Sequence, residues 1–204
     1  MKKKGLLVVL SGPSGVGKNT VCDQLLTSYS NLEYSISMTT RSPRIGETDG
    51  ENYHFVSKEE FQTMIANDGL LEWAEVFGNF YGTPQSFVDR RLEQGKDVVL
   101  EIDIQGALQV KKKRPDGVFI FLLPPSLQEL RHRIKKRGTE DDDAMSKRLE
   151  AAKSEINTVF QYDYTIINTD IQQTADWIYS VISAEKCNVD RVGETLVKEV
   201  INGE

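Results

Sequence analysis

The sequence is poor in cysteine, in basic excess and in long apolar runs, and each shortage removes a class of protein. Only Cys22 and Cys187 occur among 204 residues. They lie far apart and fit neither metal-ligand nor redox spacing, so reduced thiols in a cytoplasmic protein are expected. The net charge of −6 argues against general nucleic-acid affinity, which needs a dominant basic surface to displace counterions. No stretch reaches the about 18 apolar residues of a membrane span. "MKKKGLLVVL" sets lysines before an apolar run as a signal peptide does. The run is short and glycines follow at once, so it is read as a first strand. There is no internal repeat and no low-complexity tract. What is present, 39% hydrophobic and 27% charged residues, describes an ordinary globular chain long enough for one core plus an insertion.

Along the chain, Leu6 to Leu10 lead into three glycines and a lysine, and Val21, Leu25 and Leu26 then form a helical stripe. "YSISM", 34–38, reads as a second strand. Residues 39–52 are polar and rich in turn formers, as a functional loop is. Ser57 with Glu60, and Ser126 with Glu129, are capping boxes that open helices. "LLEWAEVFGNFYGTP" reads as two extended runs around a Gly-Asn turn. Thr83 and Pro84 read as the N-cap and first turn of a helix closed by Gly95. "DVVLEIDIQG", 97–106, "VFIFLL", 118–123, and "YTIIN", 164–168, are apolar strands. A helix bearing Met145, Leu149, Ala152 and Ile156 precedes the last of them. Fully apolar strands alternating with helices imply an α/β fold, with a parallel sheet covered on both faces. Residues 38–90 break that rhythm and read as an inserted subdomain.

The stretch "GPSGVGKNT" contains G-x-x-x-x-G-K through Gly12, Gly17 and Lys18, with a strand before it and a helix after it. Glycines let backbone N–H groups close around phosphate oxygens, the helix N-terminus adds partial positive charge, and Lys18 reaches the outer phosphates. The glycine spacing excludes a dinucleotide fingerprint. One position departs from the motif. The residue after the lysine is Asn19 rather than a hydroxyl-bearing Ser or Thr, so either Thr20 supplies the hydroxyl to Mg²⁺ or nucleotide and water hold the metal.

"SGPSGVGK", "SISMTTRSPRIGE", "NYHF", "EWAEVFGNFYGTP", "EIDIQG", "FIFLLPPS" and "KKRGTE" occur in one order, and in that order the chain resembles the guanylate kinases over residues 5–185. The resemblance implies ATP and GMP as substrates, Mg²⁺ as cofactor and a P-loop kinase core around a five-stranded parallel sheet. The core comprises 1–37 and 91–204, with a GMP-binding insertion over 38–90 and a helical lid near 137–150. It assigns the ATP cradle to Gly12, Pro13, Ser14, Gly15, Val16, Gly17, Lys18, Asn19 and Thr20, and further ATP contacts to Arg133, Arg137 and Asn168. It places Glu72 and Asp103 on the guanine N–H donors, with hydroxyls from Ser37 and Thr83. It sets Arg41, Arg44, Tyr53 and Tyr81 on the GMP phosphate, and Lys18, Arg41, Arg137 and Arg148 around the moving phosphoryl group. Acceptors for guanine and arginine forks for phosphate are the chemically apt types.

Two other readings stay open on the sequence. One is a kinase-like module that binds a protein segment instead of nucleotides. The other is a kinase for a different monophosphate or a sugar phosphate. The segment beyond Lys186, with "VDRVGETLVKEVINGE", reads as an amphipathic helix that packs on the core or on another subunit, so a homo-oligomer is also open.

Overall fold

A computed structural model describes residues 4–137 and 142–203 of the chain. The elements in chain order are β1 (Leu7–Ser11), α1 (Lys18–Ser28), β2 (Leu32–Tyr34), β3 (Met38–Thr39), β4 (His54–Phe55), α2 (Lys58–Ala66), β5 (Leu70–Val76) and β6 (Asn79–Pro84). They continue with α3 (Gln85–Glu93), β7 (Asp97–Glu101), α4 (Ile104–Lys113), β8 (Val118–Leu123), α5 (Leu127–Arg137), α6 (Asp142–Ile156), β9 (Tyr164–Ile167), α7 (Ile171–Glu185) and α8 (Val189–Asn202).

The apolar runs form one five-stranded parallel sheet in the order β2-β7-β1-β8-β9. β1 lies at its centre, buried along its whole length, with Val9 opposite Leu100 on one side and Phe119 on the other. Alternate side chains serve opposite faces. Val8 and Leu10 pack with Val21, Leu25, Ile178 and Ile182 of α1 and α7. Leu7 and Val9 pack with Val88, Leu92, Ala107 and Val110 of α3 and α4. This doubly covered α/β sheet is the expected class. The connection after β1 leads through α1 to β2 on one side of the sheet, and that after β7 leads through α4 to β8 on the other, so the loop after β1 opens at the switch point where α/β proteins gather ligands. A second sheet, β4-β3-β6-β5, is drawn from residues 38–84 and packs Phe61 of α2 against Met38, Leu70 and Phe80.

Several local expectations need correction. The run 34–38 is not one strand: Tyr34 pairs with Val99 in the first sheet and Met38 with His54 in the second. The chain changes sheets between them, and apolar alternation reads alike in both. β7 ends at Glu101 rather than running to Gly106, because Asp103 Oδ1 accepts the Gly106 N–H at 2.8 Å and starts α4. The hairpin turns on Phe77 and Gly78, both at positive φ, one residue before the Gly-Asn pair; two such residues make the turn type that suits strand twist. Thr83 is not an N-cap. β6 continues through Pro84, and α3 starts without a side-chain cap.

Other signals match the structure. Ser57 Oγ accepts from Glu60 N at 3.0 Å and Ser126 Oγ from Glu129 N at 3.1 Å. Both cysteines are free, and burial pushes the Cys22 thiol up to about 12. No described helix is long and apolar enough to cross a membrane. Residues 138–141, within the expected lid, lie outside the described residues.

Candidate active site

The phosphate loop is held open by its own backbone and by two neighbours. Gly17 caps α1 at φ +101°, a conformation side chains rarely adopt, and a Cβ there would lie 2.8 Å from Asn168 Nδ2. That amide donates to the Val16 carbonyl at 2.8 Å and accepts from Thr174 Oγ1 at 3.1 Å, with Asn168 only 3% exposed. Arg133 ties the same loop to the end of β9, donating to Val16 O at 3.2 Å, to Asn168 O at 3.1 Å and to Glu129 Oε1 at 2.9 Å. The resemblance assigned Asn168 and Arg133 to ATP; in the structure both bond to the loop itself. Lys18 Nζ arches back to Gly12 O at 2.8 Å. Glu155 of α6 accepts the Ser14 N–H at 3.2 Å, so a loop amide already receives an anion.

At the mouth of this loop Asn19 Nδ2 donates to Glu101 Oε2 at 2.9 Å, and the hydroxyl-bearing Thr20 is exposed on the first turn of α1. Mg²⁺ takes oxygen ligands and keeps several waters, so Asn19, Thr20 and Glu101 fit a metal carried in largely by nucleotide. Among the described residues no cluster of three or more His, Cys, Asp or Glu forms a metal cage.

A second group of residues converges between the two sheets. Glu72 on β5 is 7% exposed, and its Oε1 accepts from Thr83 Oγ1 at 2.6 Å. A Cβ at Gly106 would lie 2.9 Å from Glu72 Oε2 and 3.3 Å from Asp103 Oδ1. Both carboxylates therefore meet at the first turn of α4, in a gap that only a glycine leaves. Burial, with Asp103 adding to it and the Thr83 bond opposing, pushes Glu72 up to about 7. Ser37 lies half-buried between β2 and β3, its carbonyl accepting from His54 N at 2.9 Å.

The loop after β3 supplies the cations. Arg41 forms a fork with Glu47 at 2.9 and 2.8 Å, while Arg44 N donates to Glu47 Oε2 at 2.7 Å. The Arg41 guanidinium lies 5.5 Å over the Tyr53 ring, and the Tyr53 and Tyr81 rings meet edge-on at 5.9 Å. The Glu47 bond, with help from Tyr81, raises Arg41 further above its ordinary value; Arg41 in turn lowers Glu47.

The structure thus brings together Glu72, Thr83 and Asp103, and separately Arg41, Arg44, Tyr53 and Tyr81. Arg148 is exposed on α6, and the Arg137 side chain lies outside the description. Two residues that bond to the site went unread in the sequence: Glu47 and Thr174. An acid six residues from Arg41 was a signal for Glu47, and the Asn168–Thr174 pairing had none.

A glycine-rich strand-loop-helix at the switch point of a parallel sheet, with a second small sheet inserted in the chain after β2, defines a P-loop kinase of the nucleoside monophosphate class. The guanylate kinase family model matches residues 4–185, and the chain belongs to the guanylate kinase family. It is 56% identical to a guanylate kinase of Caldanaerobacter subterraneus subsp. tengcongensis, over 97% of this chain and 96% of that one. It is 53% identical to one of Clostridium perfringens, over 96% and 90% respectively. The crystal structure of guanylate kinase from Anaplasma phagocytophilum superposes with a TM-score of 0.75 at 40% identity, covering 97% of this chain and 95% of that one.

Proposed function

We propose that the chain transfers the γ-phosphoryl group of ATP to GMP, and also to dGMP, releasing ADP and the nucleoside diphosphate in purine nucleotide metabolism. The observation that carries the acceptor assignment is the convergence of Glu72 and Asp103 at Gly106. Guanine offers N–H donors at N1 and N2 where adenine does not, and a buried acceptor left unpaired by the wrong base costs about 1–3 kcal/mol.

In this reading residues 38–90 form the GMP-binding insertion. Ser37 and Thr83 add hydroxyl contacts to guanine, and Arg41, Arg44, Tyr53 and Tyr81 grip the GMP phosphate. A GMP phosphate oxygen attacks the γ-phosphorus in line, the bond to the β–γ bridging oxygen breaks, and ADP leaves. The nucleophile is already an anion, so no general base is required. The backbone N–H groups of residues 15–20 hold the donor phosphates, Gly12, Pro13 and Ser14 shape the loop around them, and Lys18 follows the outer charge. Arg41, Arg137 and Arg148 offset the remainder, while Arg133 and Asn168 keep the loop shaped for ATP. Asn19, Thr20 and Glu101 would be the residues to hold Mg²⁺ brought in with ATP, and the ion would supply positive charge against the phosphates. Glu47 preorganises Arg41 before GMP arrives, since a fork already oriented costs less entropy on binding.

Two sets of variants test this. Lys18→Met is expected to lower kcat about a hundredfold or more; normal turnover sinks the role of that lysine. Glu72→Gln with Asp103→Asn is expected to lower the kcat/KM ratio of GMP over AMP by about tenfold or more per carboxylate. An unchanged base preference contradicts the guanine assignment.

A further inference from the structure

β5 is the edge strand of the second sheet, and its outer edge presents backbone groups with no strand beside them. At Trp73 both groups are taken by one side chain on α4. Trp73 N donates to Gln109 Oε1 at 3.2 Å, and Gln109 Nε2 donates to Trp73 O at 3.0 Å. A primary amide carries a donor and an acceptor as a peptide does, so Gln109 supplies one step of strand pairing from a helix. Toward the start of the strand, Lys113 Nζ donates to Leu70 O at 2.7 Å and pairs with Asp68 Oδ1 at 2.5 Å.

Glu72 sits between these two attachments. Its carboxylate reaches the same helix at Gly106, beside Asp103. Residues 103, 106, 109 and 113 are three or four apart and so share one face of α4. That face carries, in order, an acceptor, a gap, an amide clamp and a lysine clamp. One rigid helix therefore fixes the distance from Asp103 to Glu72, although Asp103 follows a strand of the first sheet and Glu72 lies in the second.

We propose that Gln109 is a positioning residue for guanine recognition, holding β5 so that Glu72 and Asp103 are spaced for adjacent N–H donors. This rests on reading those two acids as the guanine acceptors. Hydrogen bonds weaken steeply with small shifts in distance and angle, so a strand edge that drifts loses the base before it loses its fold. Both Gln109 bonds are exposed to water, which makes their share of global stability small and their share of register large.

The test is steady-state kinetics with GMP varied at saturating ATP, alongside thermal midpoints, for the wild type, Gln109→Met, Gln109→Ala and Glu72→Gln. Both Gln109 variants are expected to raise KM for GMP about tenfold, equivalent to about 1.4 kcal/mol. KM for ATP, kcat and the thermal midpoint stay close to wild type, and selectivity for GMP over AMP falls. An unchanged KM for GMP in the Gln109 variants, with Glu72→Gln impaired, overturns the inference and leaves the guanine site standing. Equal losses toward ATP and GMP, or a lowered midpoint without a KM change, mark a merely structural role and also overturn it. If Glu72→Gln itself leaves KM for GMP unaltered, the guanine assignment of Glu72 is what fails.

Discussion

Glu72 is a carboxylate whose surroundings favour its proton: burial moves it from an ordinary 4.5 to about 7. Two consequences have opposite signs. For the ligand-free fold, the protonated form is preferred. The stability tied to Glu72 is therefore complete below about pH 4.5 and is lost as pH rises through about 7. Glu72→Gln, which keeps an acceptor for Thr83, is thus expected to raise the thermal midpoint at pH 8 and to change it little at pH 4. For GMP capture the ionised form is needed, so wild-type kcat/KM for GMP is expected to fall as pH drops below about 7. The GMP phosphate titrates near about 6 in the same assay, and Glu72→Gln separates the two, keeping the phosphate step while losing the Glu72 step. A midpoint gain that is equal at both pH values contradicts a raised Glu72. Glu47 is the residue-scale counterpart on the arginine side: its fork to Arg41 fixes that guanidinium over the Tyr53 ring.

α4 does most to assemble the acceptor side. Gly106 shows why a helix with a glycine in its first turn is used here. Alanine there gains about 1 kcal/mol of helix propensity, yet its Cβ would sit 2.9 Å from Glu72 Oε2. Gly106→Ala is therefore expected to raise KM for GMP about tenfold or more while leaving KM for ATP and the thermal midpoint near wild type. A GMP affinity that survives the methyl group contradicts the tight approach of Glu72 to α4. Elements of this kind also set how far the sequence could be read. β1, the glycine loop and α1 were legible because their signals are local: an apolar run, a fixed glycine spacing and a helical stripe. The caps at Ser57 and Ser126 are equally local. α4 was not legible at its start, because "LEIDIQG" alternates like a strand and only the Asp103 bond to Gly106 N ends it. Thr83 before Pro84 copies an N-cap signature, but its hydroxyl is drawn to a carboxylate eleven residues back in sequence, on the neighbouring strand. The acids themselves were found by resemblance. Their meeting across two sheets is a tertiary fact that no spacing records.

At the scale of the whole molecule the glycine loop and Asp103 follow strands of the first sheet, whereas Glu72 and the loop bearing Arg41 and Arg44 belong to the second sheet and its connections; in the proposed reading, phosphoryl transfer takes place between these two groups, where water is to be kept from the reacting group. α8 stands apart from this. It buries no residue, so its apolar side does not pack on the core, and it is attached through Arg191, which pairs with the buried Glu185 and donates to Asp116 O at 2.6 Å. Tyr164 also donates to that carboxylate. Arg191→Ala is expected to lower unfolding free energy by about 1–3 kcal/mol in urea titrations, since a buried carboxylate loses its cation, with kinetics toward GMP unchanged. Unaltered stability contradicts that anchoring role. The most direct test of the account is turnover itself: ADP release from ATP with Mg²⁺, offering GMP, dGMP, AMP, CMP and UMP in turn to the intact chain. Rapid release with GMP and dGMP and little with AMP, CMP or UMP is the predicted result. Release with none in folded protein, or equal release with GMP and AMP, contradicts it.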